Sequence, residues 1–241
     1  MPAVFVHGVP DTAAMWRPLL EKLKRRDVVC LSLPGFGNKR PAGFNPDKDS
    51  YAAWVVGELK KIKGPIDLVG HDWGSLLVTR VVSIEPDLVR SWCGGAAPLD
   101  PEYVWHDTAQ VWQTPGKGEE LMKVFSGEAL AVGLSAAGVP LEHARETASR
   151  IDDEMKSCIL TLYRSAVHVA DDWYPDLKRV KAPNLIFWGE NDPYSASRLG
   201  ERLAANTHGK FKLVPGVGHW YPVEKPAFVA KELEAFWASL A

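Results

Sequence analysis

The sequence predicts an α/β protein, a mostly parallel, doubly wound sheet of about six strands with one long helical insertion. Short apolar runs bounded by Gly, Pro or Asp alternate with segments whose apolar residues recur every three to four positions, the pattern of strand, crossover helix, strand. Several of those runs are apolar throughout, as strands covered by helices on both faces must be. Between Gly95 and Lys181 the strand signal disappears for roughly 85 residues, far more than an ordinary connection.

Taken in order, Ala3–His7 reads as the first strand. Thr12–Arg25 is the helix that follows, with Met15, Trp16, Leu19, Leu20 and Leu23 on one stripe. Strands at Asp27–Leu33, Ile66–Val69 and Val89–Gly94 enclose helices at Tyr51–Ile62 and Ser75–Ile84. After the insertion, strands at Asn184–Trp188 and Phe211–Val214 alternate with helices at Ser195–Ala205 and Ala227–Leu240. The insertion itself reads as helices broken at Pro115, Gly127, Gly138-Val139-Pro140 and Pro175, with a long helical run over Ile151–Val167. Residues 1–95 and 181–241 therefore form the core, and residues 96–180 a helical cap. Insertions of that length act as lids or binding elements, or are structural excursions.

Of 241 residues, 46% are hydrophobic and 24% charged, which supplies a full core and excludes a disordered or fibrous chain. Lys plus Arg number 28 against 30 Asp plus Glu, so no electrostatic footprint for nucleic acid or an anionic membrane exists, and the expected partners are small and weakly charged. A monomer and a homodimer both remain open. No apolar run reaches membrane-spanning length, and Pro2-Ala3-Val4 leads directly into the first strand, which predicts a cytoplasmic protein. Cys30, Cys93 and Cys158 are odd in number and sit in apolar contexts, which suits reduced thiols. There is no phosphate or dinucleotide loop, so no cofactor is expected. His71, Asp72, Asp192 and His219 lack the close spacing of metal ligands, so no metal is expected either.

The strongest chemical signal is Gly70-His71-Asp72-Trp73-Gly74, which follows an apolar strand and opens a helix. A strand, sharp turn and helix with glycine on both sides is what a nucleophile elbow requires. Its central residue here is Asp72. A carboxylate attacking an ester gives a reactive anhydride, whereas attack on saturated carbon gives a stable alkyl ester, so Asp72 points to displacement at sp³ carbon. That ester then needs water, a base and a residue to orient the base. Asp192 ends the run Leu185–Trp188 in a polar turn. His219 follows the last strand on a Gly-rich loop, giving the chain order nucleophile, acid, histidine. The early turn His7-Gly8-Val9-Pro10 places a backbone N–H opposite the nucleophile, so the Val9 and Trp73 N–H groups form the expected oxyanion hole; the alternative is that His7-Gly8 merely ends a strand.

Together the elbow, His-Gly-Val-Pro, Gly-Glu-Asn-Asp-Pro and Gly-Val-Gly-His resemble the epoxide hydrolase and haloalkane dehalogenase branch of the α/β-hydrolases, over nearly the whole chain. The resemblance implies an Asp nucleophile, an Asp/His pair and a helical cap from about Ala96 to Arg179. It also implies an antiparallel strand pair ahead of the His-Gly strand, which this sequence lacks. Epoxide hydrolases place two cap tyrosines over the nucleophile. Tyr163-Arg164 resembles the second, though its stripe with Ile159, Leu160 and Val167 equally suits a core aromatic. The first aligns with Thr108, leaving Tyr103, Trp105 or His106 as substitute donors. Dehalogenases cradle halide with the indole after the nucleophile, here Trp73, and a second donor. That second donor is Trp105 or Trp112, because Val9 has none to offer.

The sequence thus predicts a cofactor-independent hydrolase that opens small apolar epoxides with Asp72, Tyr163, Asp192 and His219 as catalytic residues. His7, Trp105, His106 and Trp112 are expected to contact substrate. Haloalkane dehalogenation and ligand binding without turnover are the alternatives.

Overall fold

The computed structural model describes residues 1–240. Strands β1 (Ala3–Val6), β2 (Val28–Leu31), β3 (Asp67–Gly70), β4 (Ser91–Gly95), β5 (Asn184–Gly189) and β6 (Lys210–Val214) form one sheet in the order β2-β1-β3-β4-β5-β6. Every pairing is parallel. The chain winds outward from β1 to β2 and from β3 to β6, so the strand order reverses between the neighbours β1 and β3. Loops leaving the carboxyl ends of those two strands diverge and open a crevice there. Val6 pairs with Gly70, so the residues just beyond both strands lie level with each other.

Side chains alternate across the sheet. Val4, Val6 and Leu68 enter one core with α2 (Lys48–Lys60) and α3 (Trp73–Ile84). Ala3, Phe5 and Val69 enter the other with α1 (Arg17–Leu20) and α12 (Pro226–Ala238). The helix expected over Thr12–Arg25 is shorter: a 3-10 turn over Ala13–Trp16 leads into the single turn α1. Pro18 has no N–H, so an α-helical ladder cannot run through it and the segment restarts there. Its apolar stripe is buried all the same, Met15, Trp16, Leu19 and Leu23 being at most 1% exposed. Helix α2 starts three residues before the expected Tyr51 because the Asp47 carboxylate accepts the Ser50 N–H at 2.7 Å and caps it.

The stretch between β4 and β5 holds α4 (Asp107–Gln113), α5 (Lys117–Val124), α6 (Gly127–Ala136), α7 (Leu141–Ser149), α8 (Asp153–Ser165), α9 (Val169–Trp173) and a 3-10 segment over Tyr174–Arg179. The breaks at Pro115 and Gly138-Val139-Pro140 fall where the sequence reads them and Gly127 opens α6, whereas the breaks at residues 150–152 and 166–168 contain neither Gly nor Pro and Pro175 lies inside the 3-10 segment. Helices α10 (Ser197–Asn206) and α11 (Tyr221–Glu224) complete the fold. Among the described residues no helix is long and apolar enough to cross a membrane.

Candidate active site

Asp72 follows β3 and precedes α3 with φ 53° and ψ −127°, a backbone conformation that a non-glycine residue adopts only when its surroundings enforce it. The enforcement is visible. The Asp72 N–H donates to the Gly95 carbonyl at 3.0 Å, while the Asp72 carbonyl accepts the Ser75 N–H at 2.7 Å. The flanking glycines are steric necessities: a Cβ at Gly70 would lie 2.3 Å from the Gly74 carbonyl oxygen, and one at Gly74 would lie 2.0 Å from that of Val6. Gly8 is constrained by the site itself, since its Cβ would stand 2.3 Å from Asp72 Oδ1.

That turn lifts the Asp72 carboxylate into the crevice. Oδ1 accepts the Val9 N–H at 2.7 Å, and the Trp73 N–H is a further backbone donor to the same group. His219 Nε2 stands 3.5 Å from Oδ2. On its other side His219 Nδ1 donates to Asp192 Oδ2 at 2.9 Å. Asp192 is itself held, its Oδ1 accepting the Tyr194 N–H at 2.8 Å and the Ser195 N–H at 3.3 Å. The acid and histidine loops approach so closely that a Cβ at Gly189 would fall 1.9 Å from the Gly218 carbonyl oxygen. The structure thus brings Asp72, Asp192, His219, Val9 and Trp73 together.

Electrostatics follow from this geometry. Burial disfavours an imidazolium at His219, but the Asp192 and Asp72 carboxylates outweigh it and raise the pKa to about 10. Burial likewise opposes charge on Asp72, yet the neighbouring His219 holds its pKa below the ordinary carboxylate value. The free site therefore contains a carboxylate, an imidazolium and a second carboxylate in line.

Over Asp72 lies a cavity of about 190 Å³. Trp73, Trp105, Trp112, Phe125, Tyr163 and Tyr194 dominate its lining, and among the described residues no Lys or Arg reaches it. Trp73 and Trp105 stack at 6.0 Å, and Tyr163 sits edge-on to Trp73 at 5.4 Å and to Trp112 at 4.8 Å. The indole N–H groups of Trp73 and Trp112 are buried without hydrogen-bond partners. Burial raises the pKa of Tyr103, Tyr163 and Tyr194, so all three line the cavity as neutral phenols. His106 lines it too. Its Nδ1 accepts the Ala109 N–H at 3.3 Å and caps α4, which leaves the ring proton on Nε2. Thr108, aligned with a tyrosine by the resemblance, is also at the wall.

His7 is a correction. It is fully buried behind the site, with Nδ1 donating to the Gly8 carbonyl at 2.9 Å and Nε2 accepting the Leu33 N–H at 3.1 Å. Burial lowers its pKa to about 4. A neutral ring therefore fastens β1 to the chain leaving β2, and does not contact the cavity. Sequence reading missed Tyr194, whose ring stands 4.9 Å from both His106 and His219. The signal was its place two residues after Asp192. It also missed Trp220, whose signal was its place directly after His219, and Phe125 and Leu134, for which position along the chain gives no cue. Among the described residues no cluster of His, Cys, Asp and Glu is arranged to hold a metal.

Residues 3–232 match the Alpha/beta hydrolase family, and the chain belongs to that family. It is 25% identical to (E)-2-((N-methylformamido)methylene)succinate hydrolase of Acinetobacter baylyi, over 98% of this chain and 89% of that protein. It is 24% identical to epoxide hydrolase 3 of Mus musculus, covering 98% of this chain and 70% of the relative. Among solved structures, haloalkane dehalogenase DbeA from Bradyrhizobium elkani superposes with a TM-score of 0.81 at 18% identity, over 99% of this chain and 90% of that one. Cfl2 of Burkholderia cenocepacia gives 0.82 at 20%, over 98% and 87%. These likenesses agree with the sheet and its flanking helices, and the protein is a hydrolase of the α/β class.

Proposed function

We propose that this hydrolase opens small, neutral, apolar epoxides through an alkyl ester on Asp72, with the helical insertion acting as its cap. The observation that carries the reading is a strained elbow bearing a carboxylate, with an aspartate-backed histidine beside it and neutral phenols above it. Asp72 attacks a ring carbon, the ring C–O bond breaks, and the alkoxide takes up a proton through a hydrogen-bonded phenol, Tyr163 first among the candidates. Esterification removes the charge facing His219, so the imidazolium gives up its proton. One proton taken and one released leave no net change.

Water then adds to Asp72 Cγ, giving a proton to His219, while the Val9 and Trp73 N–H groups receive the developing oxyanion. The adduct collapses, the diol oxygen leaves with the remaining hydroxyl proton, and carboxylate beside imidazolium is restored. The absence of Lys and Arg from the described cavity lining favours an uncharged substrate, and its volume suits one not much larger than benzene, which fits a cavity of about 150 Å³.

The unpartnered Trp73 and Trp112 indoles favour a second reading, haloalkane dehalogenation by the same ester, since two N–H donors at one cavity can cradle a leaving halide. Separate incubation with terminal epoxides and 1-bromoalkanes decides between them. The first reading predicts diol formation that falls sharply in Tyr163→Phe and persists in Trp112→Phe. Bromide release lost in Trp112→Phe, with epoxides untouched, would replace it with the second.

A further inference from the structure

The mechanism leaves one buried carboxylate beside the site unused. Asp11 is 2% exposed and lies two residues beyond Val9. Its Oδ2 accepts the Trp220 indole N–H at 2.8 Å, and its Oδ1 accepts the Thr147 hydroxyl at 3.0 Å. His143 Nε2, buried and without a hydrogen-bond partner, stands 3.9 Å from the same Oδ1. Thr147 and His143 both belong to α7. Trp220 follows His219 and meets its ring edge-on at 4.8 Å. A single carboxylate thus joins three parts: the loop that supplies the Val9 N–H, the loop that carries His219, and the inserted helix α7.

Helix α7 packs against α6, and α6 contributes Leu130, Gly133 and Leu134 to the cavity wall. The other polar tie from α7 to the core is the Arg17–Glu146 pair at 2.8 Å, whose side chains are 58% and 29% exposed. Exposed pairs of that kind contribute little, whereas hydrogen bonds to a buried carboxylate contribute much more. The geometry points to Asp11 as a positioning residue. It registers the α6–α7 wall of the cavity against the His219 loop, and so governs how tightly substrate is held over Asp72. Asparagine at this position keeps both contacts, its carbonyl accepting from Trp220 and its amide donating to the Thr147 hydroxyl. Alanine keeps neither.

Hydrogen-exchange mass spectrometry tests this without reference to any substrate. In Asp11→Ala, exchange across residues 127–149 and 215–221 rises by about tenfold or more, while α2 and α12 exchange as in the parent. Asp11→Asn stays close to the parent. Thr147→Val loosens only residues 127–149, and Trp220→Phe only residues 215–221; these two variants carry the test if Asp11→Ala does not fold. Uniform acceleration over the whole chain, or unchanged exchange in residues 127–149, would overturn the proposal. The kinetic counterpart rests on the epoxide reading: kcat/KM falls in Asp11→Ala chiefly through KM and is rescued in Asp11→Asn. An inactive parent enzyme would count against that reading alone, because the exchange result stands apart from turnover.

Discussion

Replacing Asp72 with Asn imitates the electrostatics of the alkyl ester, because the amide is neutral and nearly isosteric with the carboxylate. In the free site His219 Nε2 is 3.5 Å from Asp72 Oδ2, and its pKa stands at about 10. Unit charges at that separation, at an effective dielectric of about 20, interact by about 5 kcal/mol. Removing the Asp72 charge therefore lowers the His219 pKa by about 3.5, to about 6.5, with Asp192 still in place. The sign matters for mechanism. A histidine with a pKa near 10 is a poor base at neutral pH, whereas one with a pKa of about 6.5 accepts a proton from water readily. Esterification would thus itself create the base that the second step needs. NMR titration of the His219 ring in the parent and in Asp72→Asn measures both values. A variant pKa that remains near 10 would refute the coupling.

Three further outcomes follow from the same contacts. Gly74→Ala forces a Cβ to within 2.0 Å of the Val6 carbonyl and is expected to cost about 3 kcal/mol or more, or to prevent folding, as read from urea midpoints. Gly133 lies mid-helix in α6 at the cavity wall, and a Cβ there meets nothing within 4 Å. Gly133→Ala should therefore raise stability by about 1 kcal/mol in the same assay, while Gly133→Phe should exclude bulkier epoxides before smaller ones. Burial lowers the pKa of both His7 and His71 to about 4, so the stability of keeping them neutral is complete above their ordinary 6.5 and is lost as pH falls towards 4, by about 3 kcal/mol each. His219 acts oppositely: its contribution is complete below 6.5 and is lost as pH rises towards 10. Melting temperatures should consequently peak near pH 6.5, and a monotonic profile from pH 4 to 10 would contradict this assignment.

All six predicted runs became strands: the inner ones were legible as short apolar runs because they are buried on both faces, whereas the partly exposed edge strands β2 and β6 were legible from the Gly, Pro and Asp residues that bound them. Helix ends were less legible where a side chain outside the stripe decided them, as Asp47 does for α2. The first helix was overextended because its apolar spacing outweighed the missing N–H of Pro18. For the site, Asp72, Asp192 and His219 could be read because each sits in a local turn of distinctive composition at the end of a strand. His7 could not. Its proximity to the elbow in sequence suggested substrate contact, but the direction of its ring is set by the Leu33 amide, which belongs to another strand's exit. Tyr194 and Asp11 escaped for the same reason, since their surroundings are assembled from the insertion, the acid loop and the histidine loop together.

The central claim is that Asp72 becomes covalently alkylated, and intact mass spectrometry of His219→Asn after incubation with a terminal epoxide tests it most directly. Without the base the ester should accumulate, giving an adduct equal in mass to the whole epoxide, on the peptide that contains Asp72. A parent enzyme that converts the epoxide while His219→Asn shows no adduct would contradict the account.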